Sequence, residues 1–314
     1  MAFTTPATVG GASARSITEA LTKRGADRKG KIVEGILIAS LALSLLVLLT
    51  LIVNLLVNSW SVWTIRPADF LTTNLNSQSA EQAGVGQAIR GTLLLCLIVV
   101  VVAFPLGIAC AVYLEEYAGK SWFATIIRIN VRNLAGVPSI VYGLLGLAIF
   151  VQAMSGLTGG RTVFAGGLAL SALVLPIVVI TTSEALRAVP RSIREGAFGV
   201  GATEWETVRS HVLPSAAPGI LTGTVLSLAR AAGEAAPVLL VGAATGLLRT
   251  GDQSMVDQIK GPFTALPVAI FSYARQPGEA FRSVTAAASL VLLMMVLVMN
   301  GVAIWLRNRY ERKW

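Results

Sequence analysis

Arg230 and Glu234 stand four residues apart in an apolar stretch, Leu226-Ser-Leu-Ala-Arg230-Ala-Ala-Gly233-Glu234-Ala-Ala-Pro237. On a helix that spacing puts both side chains on one face. A charge at mid-membrane costs about 2.5–3.5 kcal/mol on insertion scales, so the pair needs each other, a wet cavity or a ligand. A guanidinium presents five donors in a planar fork, which suits tetrahedral oxyanions. Glu234 would balance that charge while the path is empty. Its carboxylate would also accept a hydrogen bond from an oxyanion that keeps a proton, as hydrogen phosphate does at neutral pH. Sulfate has no such proton and would meet an unrelieved charge. Ser227, Gly223 and Gly219 continue this face at steps of three and four, and Gly233 lies between the two charges. The plainer reading is a structural ion pair on a helix that packs closely through Gly219 and Gly223.

A second constellation runs from Glu184 to Pro214. It carries Arg187, Arg191, Arg194 and Arg209 with Glu184, Glu195, Glu204 and Glu206. Such a stretch cannot cross a bilayer, so it stands in water between membrane helices. Ser192 and Glu195 have capping-box spacing, which predicts a helix start there. Gly199 and Gly201 interrupt that helix. Thr203 and Glu206 repeat the spacing and start a short helix through about His211. Pro214 sits at the entrance of the next apolar run. The pattern is helix, glycine elbow, short helix, proline; the plainer alternative is a cytoplasmic loop with two helical turns.

The elements that must position these residues are membrane helices. Of 314 residues, 54% are hydrophobic and 13% charged, with a mean hydropathy of +0.73. A soluble domain carries about twice that charge. The apolar blocks are long enough to span about 30 Å of hydrocarbon, so the expected fold is all-α and polytopic. Six helices are expected, at about Ile32–Val57, Gln87–Leu114, Val131–Ala153, Val163–Thr182, Ala216–Leu240 and Val284–Leu306, with both termini inside. Residues 1–31 read as a partly disordered cytoplasmic tail with a basic juxtamembrane cluster, not a cleavable signal peptide. Residues 32–306 form the transmembrane domain, with its cytoplasmic segment at 184–215, and 307–314 a cytoplasmic tail. Trp60 and Trp63 are expected at the outer interface.

The net charge of +9 does not call for nucleic acid. In this topology 17 of the 25 Lys and Arg lie inside, 7 outside and one, Arg230, in the membrane. That is the positive-inside asymmetry of a membrane protein. Cys96 and Cys110 fall in one helix, about 21 Å apart along it, and cannot bridge. No Cys/His cluster has metal-ligand spacing, and the lone histidine, His211, has no nucleophile to serve. Gly25-x4-Gly30-Lys31 mimics a phosphate-binding loop, but Ile32 replaces the Ser/Thr and no strand precedes it. No nucleotide site and no enzyme activity are expected of the chain.

Resemblance adds identity to this pattern. Glu195-Gly196-Ala197, Gly201, His211 and Leu213-Pro214 fall at the spacing of the E-A-A-x3-G-x9-I-x-L-P signature of ABC importer permeases, with Gly196 and His211 as departures. Arg230-Ala-Ala-Gly-Glu234-Ala-Ala-Pro237 resembles the R-A-x-G-E-[TA]-A-P segment of phosphate importer permeases. Asn133-Leu-Ala-Gly-Val-Pro-Ser-Ile-Val-Tyr-Gly143 and Ala265-Leu-Pro-Val-Ala-Ile-Phe271 resemble two more of their segments. The likeness covers most of residues 85–306. One departure is Val179-Ile-Thr-Thr-Ser-Glu184, where Thr181 stands in place of the family's arginine.

The resemblance implies a type I ABC importer transmembrane domain in a prokaryotic cytoplasmic membrane. It implies a homologous permease partner, two ATPase copies that bind ATP and Mg, and an extracytoplasmic phosphate-binding protein. Ala202–Val212 would be the coupling helix, and Arg230 and Glu234 would line the substrate path. Two rivals stay open: a permease for another oxyanion (sulfate, molybdate or phosphonate), or an ATP-independent, ion-coupled secondary transporter with Arg230 and Glu234 as its relay.

Overall fold

A computed structural model describes residues 28–119, 121–243, 259 and 261–310. Every regular element among them is helical. The chain forms two compact units, one up to Asn54 and one from Leu55 onward. The described part of the first is the beginning of α1 (Arg28–Ile65). Its apolar side chains from Ile32 to Leu51 stand exposed all round the helix, as lipid-facing residues do.

The second unit continues from the last turns of α1. Next come α2 (Pro67–Thr72) and α3 (Gly86–Val112), which a π-helical turn prolongs over Tyr113–Tyr117. An amphipathic helix, α4 (Trp122–Ala135), precedes α5 (Ser139–Gly146, prolonged as π-helix over Leu147–Ala153) and a single turn, α6 (Ser155–Thr158). The central helix is α7 (Val163–Ala188). Then follow α8 (Arg191–Gly199), α9 (Glu204–Thr207, with a π-helical turn over Val208–Val212), α10 (Leu213–Gly233) and α11 (Ala236–Val241). The last two are α12 (Leu266–Ala274) and α13 (Glu279–Tyr310).

Five described helices are long and apolar enough to cross a membrane: Gly30–Ile65, Gly86–Tyr117, Val163–Ala188, Glu204–Gly233 and Glu279–Arg309. The pair α4 and α5, bent by 103°, makes six if it counts as one span. The core gathers on α7. Leu170, Val174 and Val178 pack with Leu95 and Val99 of α3, Val238 of α11 and Phe263.

The helix limits differ from the sequence reading in instructive ways. The fourth span was expected to end at Thr182 but runs on to Ala188, because Glu184 and Arg187 are good helix formers and nothing breaks the helix before Pro190. The third span was expected from Val131 and starts instead at Ser139. Pro138 cannot continue a helix, and the Tyr142 hydroxyl donates to the Leu134 carbonyl across the bend at 2.8 Å. The connection expected over 115–130 is therefore half helix, α4, with Ser121 as its N-cap. The fifth span was expected unbroken to Leu240. It stops at Gly233, Glu234 is extended (φ −80°, ψ 118°), and Pro237 lies in the first turn of α11. Trp63 lies within α1 rather than beyond it and meets Phe70 edge-on at 5.9 Å. The tails expected over 1–31 and 307–314 fall outside the described residues up to residue 27 and from residue 311. Helix is already present at Arg28 and continues to Tyr310.

Candidate functional site

The small residues of α10 are a packing surface. A Cβ on Gly219 would stand 2.8 Å from the Ala185 Cβ, and one on Gly223 2.5 Å from Thr181. Only glycine permits that approach to α7. Ser227 is buried above them and donates from Oγ to the Gly223 carbonyl at 2.8 Å. The small-residue reading of this stripe thus holds from Gly219 to Ser227, and Ser227 turns its hydroxyl to its own helix.

The same pairing sets the depth of Arg230. With 219 opposite 185 and 223 opposite 181, the antiparallel register puts Arg230 about level with Val174, near the middle of α7. Its neighbour Ala231 belongs to the same buried cluster as Val174. Arg230 sits in the last turn of α10, where the carbonyl end of the helix favours a cation. Its Nε lies 3.4 Å from Glu234 Oε1, a loose contact. The Arg230 side chain is 51% exposed and that of Glu234 19%. Among the described residues the rest of the guanidinium fork meets no acceptor. Gly233 opens the chain beside them, with nothing within 4 Å of where its Cβ would be. The arrangement is a mid-span fork of free donors beside a carboxylate, at a break between two helices.

That break is braced by the other recognisable segment. A Cβ on Gly143 of α5 would stand 2.8 Å from Pro237 Cα and 2.7 Å from Leu240 Cδ1. The stretches 133–143 and 230–237, far apart in sequence, are therefore pressed together. Gly143 and Tyr142 are contributors that sequence reasoning quoted in a motif without giving them a task.

The knuckle takes the expected form with a shifted start. The Ser192–Glu195 capping box does not form. Pro190 is the N-cap of α8, with no side-chain cap, and Glu195 is exposed. The elbow is real: Gly201 has φ +87°, a left-handed conformation that side chains resist, and Ala202 N–H donates to the Ala197 carbonyl at 3.1 Å. The second capping box is complete. Thr203 N–H donates to Glu206 Oε2 at 2.9 Å, and Glu206 N–H donates to Thr203 Oγ1 at 3.3 Å. These bonds hold the Glu206 carboxyl below its ordinary pKa, the backbone bond first and the Thr203 hydroxyl second. Glu204, Trp205 and His211 are exposed. Leu213 and Pro214 open α10 directly, so the knuckle and the span form one helix, Glu204–Gly233. The π-helical turn just before Pro214 loosens the helix where the proline ring needs room.

Sequence reasoning missed how the knuckle is fastened and what surface it shows. Two adjacent acids at the end of α3 hold two arginines. Glu115 takes Arg187 through Nε and Nη2, both at 2.7 Å. Glu116 takes Arg194 at 3.1 and 2.7 Å, while Arg194 also caps the Leu186 and Val189 carbonyls at 3.0 Å. The signal in sequence was a doubled acid at one helix end facing a run of arginines elsewhere. Phe198 and Val200 join Trp205 as exposed apolar side chains around the elbow. No group of three or more metal-ligating side chains lies together among the described residues. Gly30 and Lys31 of the phosphate-loop mimic lie in α1, and Gly25 lies outside the described residues.

Comparison with known proteins returns one family model, described as binding-protein-dependent transport system inner membrane component, over residues 103–314. The phosphate transport system permease protein PstA of Xylella fastidiosa (strain Temecula1) is 35% identical over 76% of this chain and 80% of its own. That of Yersinia pestis is 38% identical over 70% and 71%, and PstA 1 of Mycobacterium tuberculosis is 33% identical over 85% of both. Among solved structures, a bacterial ABC transporter involved in the import of the acidic polysaccharide alginate aligns with 90% of this chain and 97% of its own, at TM-score 0.59 and 16% identity. The MetNI methionine ABC transporter in an inward-facing form aligns with 73% and 95%, at TM-score 0.54 and 18% identity.

Proposed function

The chain belongs to the binding-protein-dependent transport system inner membrane components, and on that premise we propose that it is a permease subunit of an ATP-driven importer of inorganic phosphate. A multi-pass permease of this kind works in the cytoplasmic membrane within an ABC transporter complex, beside a partner permease and an ATPase. The finer composition we propose is a heterodimer with a homologous permease on two ATPase copies, fed by an extracytoplasmic phosphate-binding protein. ATP and Mg bind the ATPase partners, and this chain holds no nucleotide.

The observation that carries the substrate reading is the Arg230 fork, mid-span, half exposed and held by one loose contact to Glu234. A phosphate anion entering the path would meet donors not taken up by other acceptors, and would release Glu234 from its counter-ion duty. Hydrogen phosphate can give its remaining proton to a hydrogen bond with the carboxylate, which sulfate cannot. The encounter must be weak, because a tight site would hold its cargo. Ser227 and Gly233 belong to this path as the flanks of Arg230, the first by packing and the second by leaving the break open.

Force reaches that site from the knuckle. The ATPase cleft would receive Trp205 with Phe198 and Val200, while Gly201 gives the elbow its turn and Thr203 and Glu206 keep the short helix intact. Glu195, Ala202, Glu204, His211, Leu213 and Pro214 complete the same segment. The deciding experiment is radiolabelled phosphate uptake in a strain lacking this chain, with co-purification in mild detergent. Lost uptake, with a second permease and an ATPase on the purified chain, is expected. Uptake that an ionophore collapses, with no ATPase bound, sinks the reading.

A further inference from the structure

A second group of cationic side chains sits toward the cytoplasm, away from Arg230. At the junction of α3, α4 and α7 a small open cleft is lined by Arg128, Arg132, Arg187, Glu115, Ser183 and Glu184, among others. Several of its polar groups have no partner. The Arg128 Nε is out of water and without a hydrogen-bond acceptor, its nearest carboxylate oxygen being Glu115 Oε1 at 3.8 Å. The other Arg128 bonds, from Nη2, go to the carbonyls of Leu114 and Gly119. Ser183 is 9% exposed, lines the cleft, and its hydroxyl has no partner among the described residues. Arg132 is exposed and unpaired among the described residues. Glu115 is taken up by the Arg187 fork, which leaves Glu184 as the unpaired carboxylate. The unpaired groups are therefore three sets of donors and one acceptor. This is the same combination of guanidinium donors and a lone carboxylate that stands at Arg230 and Glu234.

Along α7 the cleft lies below the level of Arg230. Ser183 is nine residues and Arg187 thirteen residues past Val174, about 14 and 20 Å toward the cytoplasm. The cleft opens on the α3–α4 side of α7, toward its C-terminal end. A buried donor without an acceptor, as Arg128 Nε is, is satisfied most strongly by a charged oxygen, and a planar fork beside a hydroxyl matches the oxygens of a tetrahedral anion. We propose that this cleft binds a phosphoryl oxyanion on Arg128 Nε, Arg132 and the Ser183 hydroxyl, as an inner station where the anion leaves the membrane. Its role as an exit rests on the importer reading above; the binding itself does not. The same chemistry is offered by free phosphate and by a phospholipid headgroup of the inner leaflet.

The test uses the assembled transporter in phosphatidylcholine nanodiscs, with Cys96→Ala and Cys110→Ala and with the nearly isosteric Ser183→Cys as reporter. The rate at which a negatively charged methanethiosulfonate reagent modifies that thiol is measured with inorganic phosphate and with chloride at equal ionic strength. Phosphate is expected to slow modification several-fold, and Arg132→Gln is expected to remove the protection. Nanodiscs with phosphatidic acid and no added phosphate form the second arm. Protection there alone supports the oxyanion site and assigns it to lipid, overturning the exit role. Equal rates in every condition overturn the site. With Ser183 intact, Arg132→Gln should lower phosphate uptake while the ATPase still co-purifies, and unchanged uptake overturns the exit role independently. A wild-type complex that moves no phosphate would defeat the importer reading, while the protection assay, which needs no transport, still judges the cleft.

Discussion

In the proposed importer, substrate chemistry turns on Arg230, and its loose contact with Glu234 makes its removal informative. Arg230→Ala is expected to abolish phosphate uptake while the complex still co-purifies, because a half-exposed side chain contributes little to packing. Near-normal uptake would refute the path role. Glu234→Gln should narrow the difference between phosphate and sulfate in a competition assay, since the amide no longer repels sulfate. At Gly201 the cost of any side chain is the left-handed backbone, about 1–2 kcal/mol. Gly201→Val should therefore leave ATP hydrolysis running while transport falls, read as the ratio of phosphate moved to ATP consumed. The Glu206 carboxyl titrates below its unfolded value, so its share of the elbow's order is complete above that value and is lost as pH falls through the lower, folded pKa. Amide exchange at Thr203 and Glu206 should stay slow at neutral pH and quicken only under acid conditions. Spacing alone anticipated the contact between Arg230 and Glu234, the turn at Gly201 and the Thr203–Glu206 box, because each rule involved is local. Whether Ser227 faced a path or its own helix depended on how closely α7 approaches, which no spacing within α10 encodes.

Helix starts and stops were legible where a single residue decides them, and misread where two elements decide together. Ser192–Glu195 has the letters of a capping box, yet Pro190 two residues earlier starts α8 first. The bend between α4 and α5 was hidden because the apolar letters run through Pro138, while the Tyr142–Leu134 bond that fixes it spans eight residues. Packing contacts at this scale give firm expectations. Gly223→Leu would drive a side chain into Thr181, and Gly143→Val would force α11 off α5. Each should lower the complex's melting temperature in detergent, with overpacking costs of about 1–3 kcal/mol. The Glu116–Arg194 clamp is the fastening of α8. Arg194→Ala strips a nearly buried carboxylate of its partner and two carbonyls of their cap, at roughly 1.5–3 kcal/mol. Protease sensitivity around Arg191 should rise in that variant, and an unchanged cleavage rate would mean that the clamp is ornamental.

For the whole molecule, composition already made a multi-pass membrane chain, because bilayer thickness acts on the entire sequence at once, and the distribution of lysine and arginine sets the expectation that the knuckle lies inside. The same view sets the energetic test of the proposed importer. Uptake should persist in ionophore at constant cellular ATP and fail when the ATPase partner loses hydrolysis, the reverse of an ion-coupled carrier. The helix from Glu204 to Gly233 is 30 residues long, about 45 Å, with Trp205 near one end and Arg230 near the other. A rod of that kind is a lever. Its glycine contacts with α7, at Gly219 and Gly223, lie between the two ends and in the proposed importer would serve as the fulcrum. The π-helical turn over Val208–Val212 lies between the driven end and that fulcrum, where its looser helical winding would take up small displacements of the knuckle. Only a large, sustained stroke would then tilt the far arm, and what such a tilt strains first is the 3.4 Å contact between Arg230 and Glu234.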